Sequence, residues 1–469
     1  MNDNLLIGID VGSSSLKALA LTAETGRTAA LSRTPLLYQR LPGGGCELSA
    51  QAIHTAVTHV LQDLAAQLGA RVNDVRAMAC TGHGGGLYAL DAHNTLVASR
   101  AVASTDQRAT RRALALAQSQ GASLFEDVGC RPWPGQPTLI AAELLGTDAV
   151  QRGTVQRVLF AKDYVAWLLT GEVATDASDA STAGLLSLAT GTWSQRAMEV
   201  SGLSGLCAPT LAPLVPSGSF FGRLLAARAA QCGLPAGIPV AMGVIDLLAA
   251  MTAVHAPERG RSVSVLGTWC VNAVIEPTRE PQPTVGAVVH FGDKTQRLYM
   301  DNSPASMASL AWLASTMSFI DAQAVLNCAM TAPLGANGLR FSPFVNGGGP
   351  PGTVAGFVGL TKLHTRADMA RAVVDAVAAL HARHLQHMAA CGLDVAASTV
   401  LGGGANDVRL VQLLASFLGR TVERCANDES GARGAAIYAA KALHMRVEQD
   451  SPLLAPCDVV EPHTGEARA

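Results

Sequence analysis

The chain has 469 residues, 49% of them apolar and 15% charged, with a formal net charge of −2. That composition excludes a disordered chain, and the length exceeds what one typical core holds, so two domains are expected. The near-neutral charge gives no electrostatic basis for nucleic acid or an anionic membrane as partner.

The first apolar run, Leu5-Leu6-Ile7-Gly8-Ile9, ends on Asp10 and turns through Gly12-Ser13-Ser14-Ser15 into a second run, Leu16 to Leu21. Two short strands joined by such a turn predict a β-hairpin. A glycine and three hydroxyls in the turn suit close approach to a phosphate, and Asp10 beside them suits a metal ion or its waters. An ordinary hairpin with a polar turn fits these residues equally well.

An amphipathic helix is expected over 50–68, then a strand over 75–80 and the loop Thr81-Gly82-His83-Gly84-Gly85-Gly86. Residues 87–90 read as a strand and 91–94 as its turn. Ser104 to Arg108 opens a helix towards Gln120, and residues 158–169 form another that stops at Thr170-Gly171. Near residue 240 the pattern restarts: a strand over 239–244, Asp246, a helix over 247–254, then Ser262 to Leu266, Gly267-Thr268 and Cys270 to Ile275. That is strand, glycine/hydroxyl turn, strand, the plan of the N-terminus. A duplicated α/β fold with a ligand between its halves is expected, divided near residues 244–256 into domains 1–247 and 248–469.

The second half holds a helix over 366–388, the turn Leu401-Gly402-Gly403-Gly404-Ala405-Asn406, a helix over 408–418 and a last helix, 430–443, closing its core. The tail after Arg446 reads as peripheral. Ten cysteines scattered without a C-x-x-C pair point to reduced, mostly buried thiols and a cytoplasmic location. The N-terminus lacks a basic leader, and the longest apolar candidate for a membrane span, 239–253, is broken by Asp246.

No G-x-x-x-x-G-K-[ST] and no G-x-G-x-x-G after a strand is present, so nucleotide binding must use another architecture. The turns at 10–15 and 267–268 could hold phosphates, and a flat ring could lie on the turn at 402–406. Asp246, between a strand and a helix at the inferred junction, suits a base that takes the proton of an attacking hydroxyl; helix capping is the competing use. His381, His384 and His387 fall loosely on one helical face and read as a solvated face, since no carboxylate partner supports a metal site. Cys270 reads as a small buried residue.

In order, these pieces resemble the FGGY carbohydrate kinases of the actin/hexokinase/Hsp70-like group. The likeness covers Leu5 to about Leu443 and includes Ile7 to Lys17, Lys162-Asp163-Tyr164 to Gly171, Thr175 to Ser181, Gly243 to Asp246, Gly267-Thr268, Ala355 to Leu360 with Asp368-Met369 and Ala372 to Asp375, and Gly402 to Asn406. The resemblance implies a two-domain, ribonuclease H-like fold with an interdomain active-site cleft. It implies an ATP- and Mg²⁺-dependent kinase acting on a small sugar, and leaves a homodimer open. Asp10 would place the metal; Gly12, Ser13, Ser14, Lys17, Gly267 and Thr268 would hold phosphates; Gly403, Gly404 and Asn406 would back the adenosine. Asp246 would be the base.

The stretches 83–90, 104–108, Trp133 to Pro137 and 267–269 look most like the L-xylulose kinase branch, which makes His83, Gly84, Gly85, Asp106 and Arg108 the implied sugar contacts, with helix capping the competing use of Asp106 and Arg108. Two departures stand out: Gly85, where relatives carry a polar or charged side chain, and Ile245, where a glycine is usual. A ketopentose such as L-xylulose is the first expected acceptor. A polyol kinase of the erythritol or glycerol type, and a silent sugar sensor, are the alternatives.

Overall fold

The computed structural model describes residues 4–463, apart from 255–259, 281–282, 291, 293–294, 346, 348, 350–352, 427–428 and 449. The chain separates into two compact units, each described by itself. The first comprises Met1–Ala256, Ala287–Arg297 and Glu429–Ala455, and the second Pro257–Gly286, Leu298–Asp428 and Pro456–Ala469. A single cut after residue 247 therefore does not divide the contacts. Helix Asp246–Val254 and helix Ser430–Ala442 both belong to the first unit.

The first unit is built on a six-stranded sheet in the order Phe220–Arg223, Pro239–Ala241, Val75–Gly82, Leu5–Val11, Ser15–Thr22, Thr28–Pro35. Leu5–Val11 pairs antiparallel with Ser15–Thr22, as the hairpin pattern predicts, and parallel with Val75–Gly82. Every residue of Leu5–Val11 is buried, the signature of a strand covered on both faces. Leu5, Ile7 and Ile9 share a core with Ile53, Val57, Val60, Leu61 and Leu64 of helix Ala50–Leu68, whose N-terminus is capped by Ser49.

The opposite face, carrying Gly8 and Asp10, receives helix Ser430–Ala442. A Cβ on Gly8 would lie 1.8 Å from the carbonyl oxygen of Ala432, and one on Gly434 would lie 1.9 Å from that of Ala249. Glycine is required at both places by close backbone approach. These contacts draw a helix expected to close the C-terminal core onto the N-terminal sheet instead.

The second unit's sheet runs Gln296–Ser303, Cys270–Pro277, Arg261–Leu266, Ala397–Leu401, Val422–Arg424, Asp458–Val460. Arg261–Leu266 and Cys270–Pro277 form the second hairpin, and Arg261–Leu266 pairs parallel with Ala397–Leu401. Helices Arg366–Ala390 and Val408–Leu418 cover this sheet, with Val373, Val374, Val377, Leu410, Val411 and Leu414 in one core with Val400 and Leu266. A capping box between Thr365 and Asp368 fixes the start of the long helix.

Three local expectations are corrected. Residues 100–109 form a strand, Arg100–Val102, and turns, so the helix begins only at Thr110. Residues 157–159 are a strand that precedes helix Ala161–Thr170. The tail is not peripheral: Leu453 and Ala455 are buried, and Asp458–Val460 adds a strand to the second sheet. None of the ten cysteines is in a disulfide, Cys207 is exposed, and among the described residues no helix is long and apolar enough to cross a membrane.

Candidate active site

Asp10, Thr81 and Asp246 meet at one end of the first sheet. Asp10 pairs with Lys17 across the hairpin and with Thr81 on the parallel strand, while Gly82 forms a parallel bridge with Ile245. The ends of three strands adjacent in the sheet thus converge at the carboxyl edge of its parallel part, where open α/β sheets place ligands. The tie is reinforced by Thr81, whose Oγ1 donates to the Val244 carbonyl at 2.6 Å, and by Ser178, whose Oγ accepts the Ile245 N–H at 3.0 Å.

Asp246 begins its helix, with Oδ1 accepting the Leu247 N–H at 2.7 Å. Burial and the nearby Asp10 carboxylate push its carboxyl up to about 7, against the lowering effect of that N–H. Burial likewise raises Asp10 to about 6, partly offset by Lys17. Two carboxyls that disfavour each other's ionisation make a site suited to a cation or to a proton in transit. Asp10 Oδ1 is buried and has no hydrogen-bond partner among the described residues. A Cβ on Gly431, in the first turn of helix Ser430–Ala442, would lie 2.7 Å from Asp10 Oδ2. The glycine leaves the carboxylate its room.

At the hairpin tip the Gly12 N–H closes onto the Ser15 carbonyl at 3.0 Å, leaving Ser13 and Ser14 exposed. In the second unit the turns at 267–268 and 402–406 lie side by side. A Cβ on Gly404 would meet Leu266 at 2.8 Å and one on Gly402 the Leu266 carbonyl at 2.9 Å, so these glycines permit packing of one turn on the other. Gly403 has open space where a Cβ would project, and Gly403, Asn406 and Thr268 are exposed. Gly403 is the glycine with room for a flat ring.

Among the implied sugar contacts, His83 is buried, with Nδ1 3.4 Å from Ser104 Oγ and Nε2 3.5 Å from the Tyr38 hydroxyl. Burial lowers its imidazole to about 4, so it is neutral at pH 7. Gly84 packs against Thr182. Gly85 has φ +73°, and a Cβ there would meet Trp133 Cη2 at 2.6 Å. The indole stands where a side chain would otherwise project. Asp106 is fully buried and accepts from the Cys46 N–H, the Arg108 N–H and the Arg108 guanidinium. Arg108 also reaches Glu47 at 2.7 Å. The structure places Asp106 and Arg108 together, engaged with each other.

The histidine face is solvated only at its far end, where His387 is exposed, while His381 is buried and His384 is half-buried. His381 is buried with Nδ1 3.0 Å from Asn272 Oδ1, His384 sits 3.2 Å from Asn272 Nδ2 and 3.1 Å from Ser303 Oγ, and His387 pairs with Asp301 at 2.7 Å. The polar partners lie on two strands, which helical spacing alone could not show. No group of three or more His, Cys, Asp or Glu side chains suited to a metal occurs among the described residues. Cys270 is buried, as expected. Sequence reasoning assigned no role to Lys162, Asp163, Asp176 and Asp179, which form a buried ionic cluster. The sequence signals were the family likeness over Lys162 to Gly171 and Thr175 to Ser181 and the pair of aspartates, Asp176 and Asp179, within the second stretch.

With this geometry in view, comparison with known proteins is decisive for the family. Residues 5–253 match the N-terminal domain of the FGGY family of carbohydrate kinases, and residues 262–443 match its C-terminal domain. The chain belongs to this family. It is a carbohydrate kinase, a phosphotransferase that binds a small sugar, and kinases of this family use ATP. The L-xylulose/3-keto-L-gulonate kinase of Escherichia coli is 27% identical over 92% of this chain and 87% of its own. The xylulose kinase of Bacillus subtilis is 25% identical over 93% and 87%. The fold matches ligand-bound xylulose kinase from Lactobacillus acidophilus with a TM-score of 0.86, at 21% identity over 98% of this chain and 94% of that one. The two-domain α/β kinase fold expected from the hairpins and the family resemblance is the fold found.

Proposed function

We propose that this kinase transfers the γ-phosphoryl group of ATP to a hydroxyl of L-xylulose or a closely related ketopentose, with Asp246 as general base. The observation that carries the reading is a carboxyl raised to about 7, beside a second carboxylate, at the carboxyl edge of the sheet. A base whose proton affinity lies near the operating pH is well matched to deprotonating an alcohol as the phosphoryl group arrives. The similarity to L-xylulose and xylulose kinases over nine-tenths of the chain supports the sugar class.

Asp10 would hold Mg²⁺ through water: its buried Oδ1 has no hydrogen-bond partner among the described residues, and Gly431 leaves the carboxylate unobstructed. When bound, the cation would neutralise phosphate charge during transfer. Ser13, Ser14 and Lys17 in the first unit, with Gly12 shaping their turn, would take phosphate oxygens, as would Gly267 and Thr268 in the second. Gly403 and Asn406 would meet adenosine, with Gly404 packing the turn behind them. For the acceptor, His83 would donate or accept one hydrogen bond as a neutral imidazole, with Gly84 and Gly85 lining the same loop. Asp106 and Arg108 would hold that loop to Glu47 and Cys46. An ADP-release assay across ketopentoses and polyols tests the proposal. Turnover is expected with L-xylulose or a near relative; sugar binding without turnover on any acceptor would overturn it.

A further inference from the structure

One cluster in the first unit has no part in the chemistry above. Lys162 Nζ is buried against three carboxylates: Asp163 Oδ1 at 2.5 Å, Asp179 Oδ2 at 2.9 Å and Asp176 Oδ1 at 3.0 Å. All four side chains are about 1% exposed or less. One ammonium facing three carboxylates in the interior is an expensive arrangement, since a buried ion pair commonly stabilises less than an apolar replacement would. Such a cluster asks for a task other than stability.

The location supplies one. Lys162 and Asp163 open helix Ala161–Thr170, and Asp176 caps helix Ala177–Thr182 by accepting the Ser178 and Asp179 N–H groups. Ser178 therefore lies between two of the carboxylates that Lys162 grips. Its Oγ accepts the N–H of Ile245, the residue before Asp246. Lys162 Nζ also lies 3.7 Å from Met242 Sδ, and Thr81 fixes the Val244 carbonyl. Residues 242, 244 and 245 are thus each held by a different buried side chain.

We infer that Lys162, acting through Asp176, Asp179 and Ser178, is the positioning group that sets the backbone of Asp246. The ammonium locks two helix starts into one register, and Ser178 passes that register to the Ile245 amide. The inference rests on the proposed role of Asp246. A base displaced by a fraction of an ångström loses alignment with the hydroxyl while substrate binding is untouched.

The test is steady-state kinetics on folded Ser178→Ala, Lys162→Met and the double variant, beside Asp246→Asn. Ser178→Ala is expected to lower kcat by about tenfold, with KM for sugar and ATP nearly unchanged. Because both residues act through one link, the double variant should be no slower than Lys162→Met alone. If Lys162→Met fails to fold, Ser178→Ala alone decides. An unchanged kcat in Ser178→Ala, a fall matched by a rise in KM, or additive losses in the double variant would overturn the positioning role. Full turnover in Asp246→Asn would instead overturn the base assignment, so the two failures are distinguishable.

Discussion

Asp246 owes its proton affinity to two features, burial and the neighbouring Asp10 carboxylate, and both follow from its place at the end of a covered sheet. Its proposed role predicts that kcat/KM falls about tenfold per pH unit below roughly pH 7, as the base takes up its proton. Asp246→Asn should reduce kcat by about 10²–10⁴-fold while ATP affinity stays near wild type. The same substitution should stabilise the protein. A carboxyl raised from 3.8 to about 7 on folding is held at no ionisation cost below pH 4, and that advantage is lost as pH rises through 7. The stability gained by Asp246→Asn, read from the denaturant midpoint, should therefore be largest above pH 7, up to about 4 kcal/mol, and vanish near pH 4. Gly431→Ala makes an independent prediction: its Cβ would intrude on Asp10, and kcat should fall by about tenfold or more in steady-state assays.

At the scale of elements, both hairpins and most of the helices were legible, because each carries its own periodicity and punctuation. The position of helix Ser430–Ala442 was not. Its sequence says only that it is small-residue-rich; what fixes it is the fit of Gly8, on the first sheet, to the Ala432 carbonyl and of Gly434 to the Ala249 carbonyl of helix Asp246–Val254, contacts far apart in sequence. Gly8→Ala should accordingly cost about 3 kcal/mol or more, read from the denaturant midpoint, through overpacking of that contact. The histidine face of helix Arg366–Ala390 fails in the same way: spacing identified the face but not the strands bearing Asn272, Ser303 and Asp301 opposite it. Burial lowers His381 to about 3, so the unfolded chain binds the extra proton and stability should decline as pH falls from about 6.5 towards 3. A melting-temperature profile should show a shallower acid decline for His381→Gln than for wild type.

For the whole molecule, order along the chain carried more than any single motif. Asp10, Asp246, Gly267-Thr268 and Gly403-Gly404 were each ambiguous alone, and their sequence order, together with matches over residues 5–253 and 262–443, makes the chain a carbohydrate kinase. The acceptor side was less legible because it depends on contacts that sequence does not display. Trp133 covers Gly85, and Asp106 is engaged with Arg108 and Cys46. The measurement that bears most directly on the central proposal is ADP release with ATP, Mg²⁺ and L-xylulose or its ketopentose relatives, run in parallel on wild type and folded Asp246→Asn. Turnover by the wild type that collapses in the variant is the predicted result; equal turnover in both, or sugar binding with none in either, would contradict it.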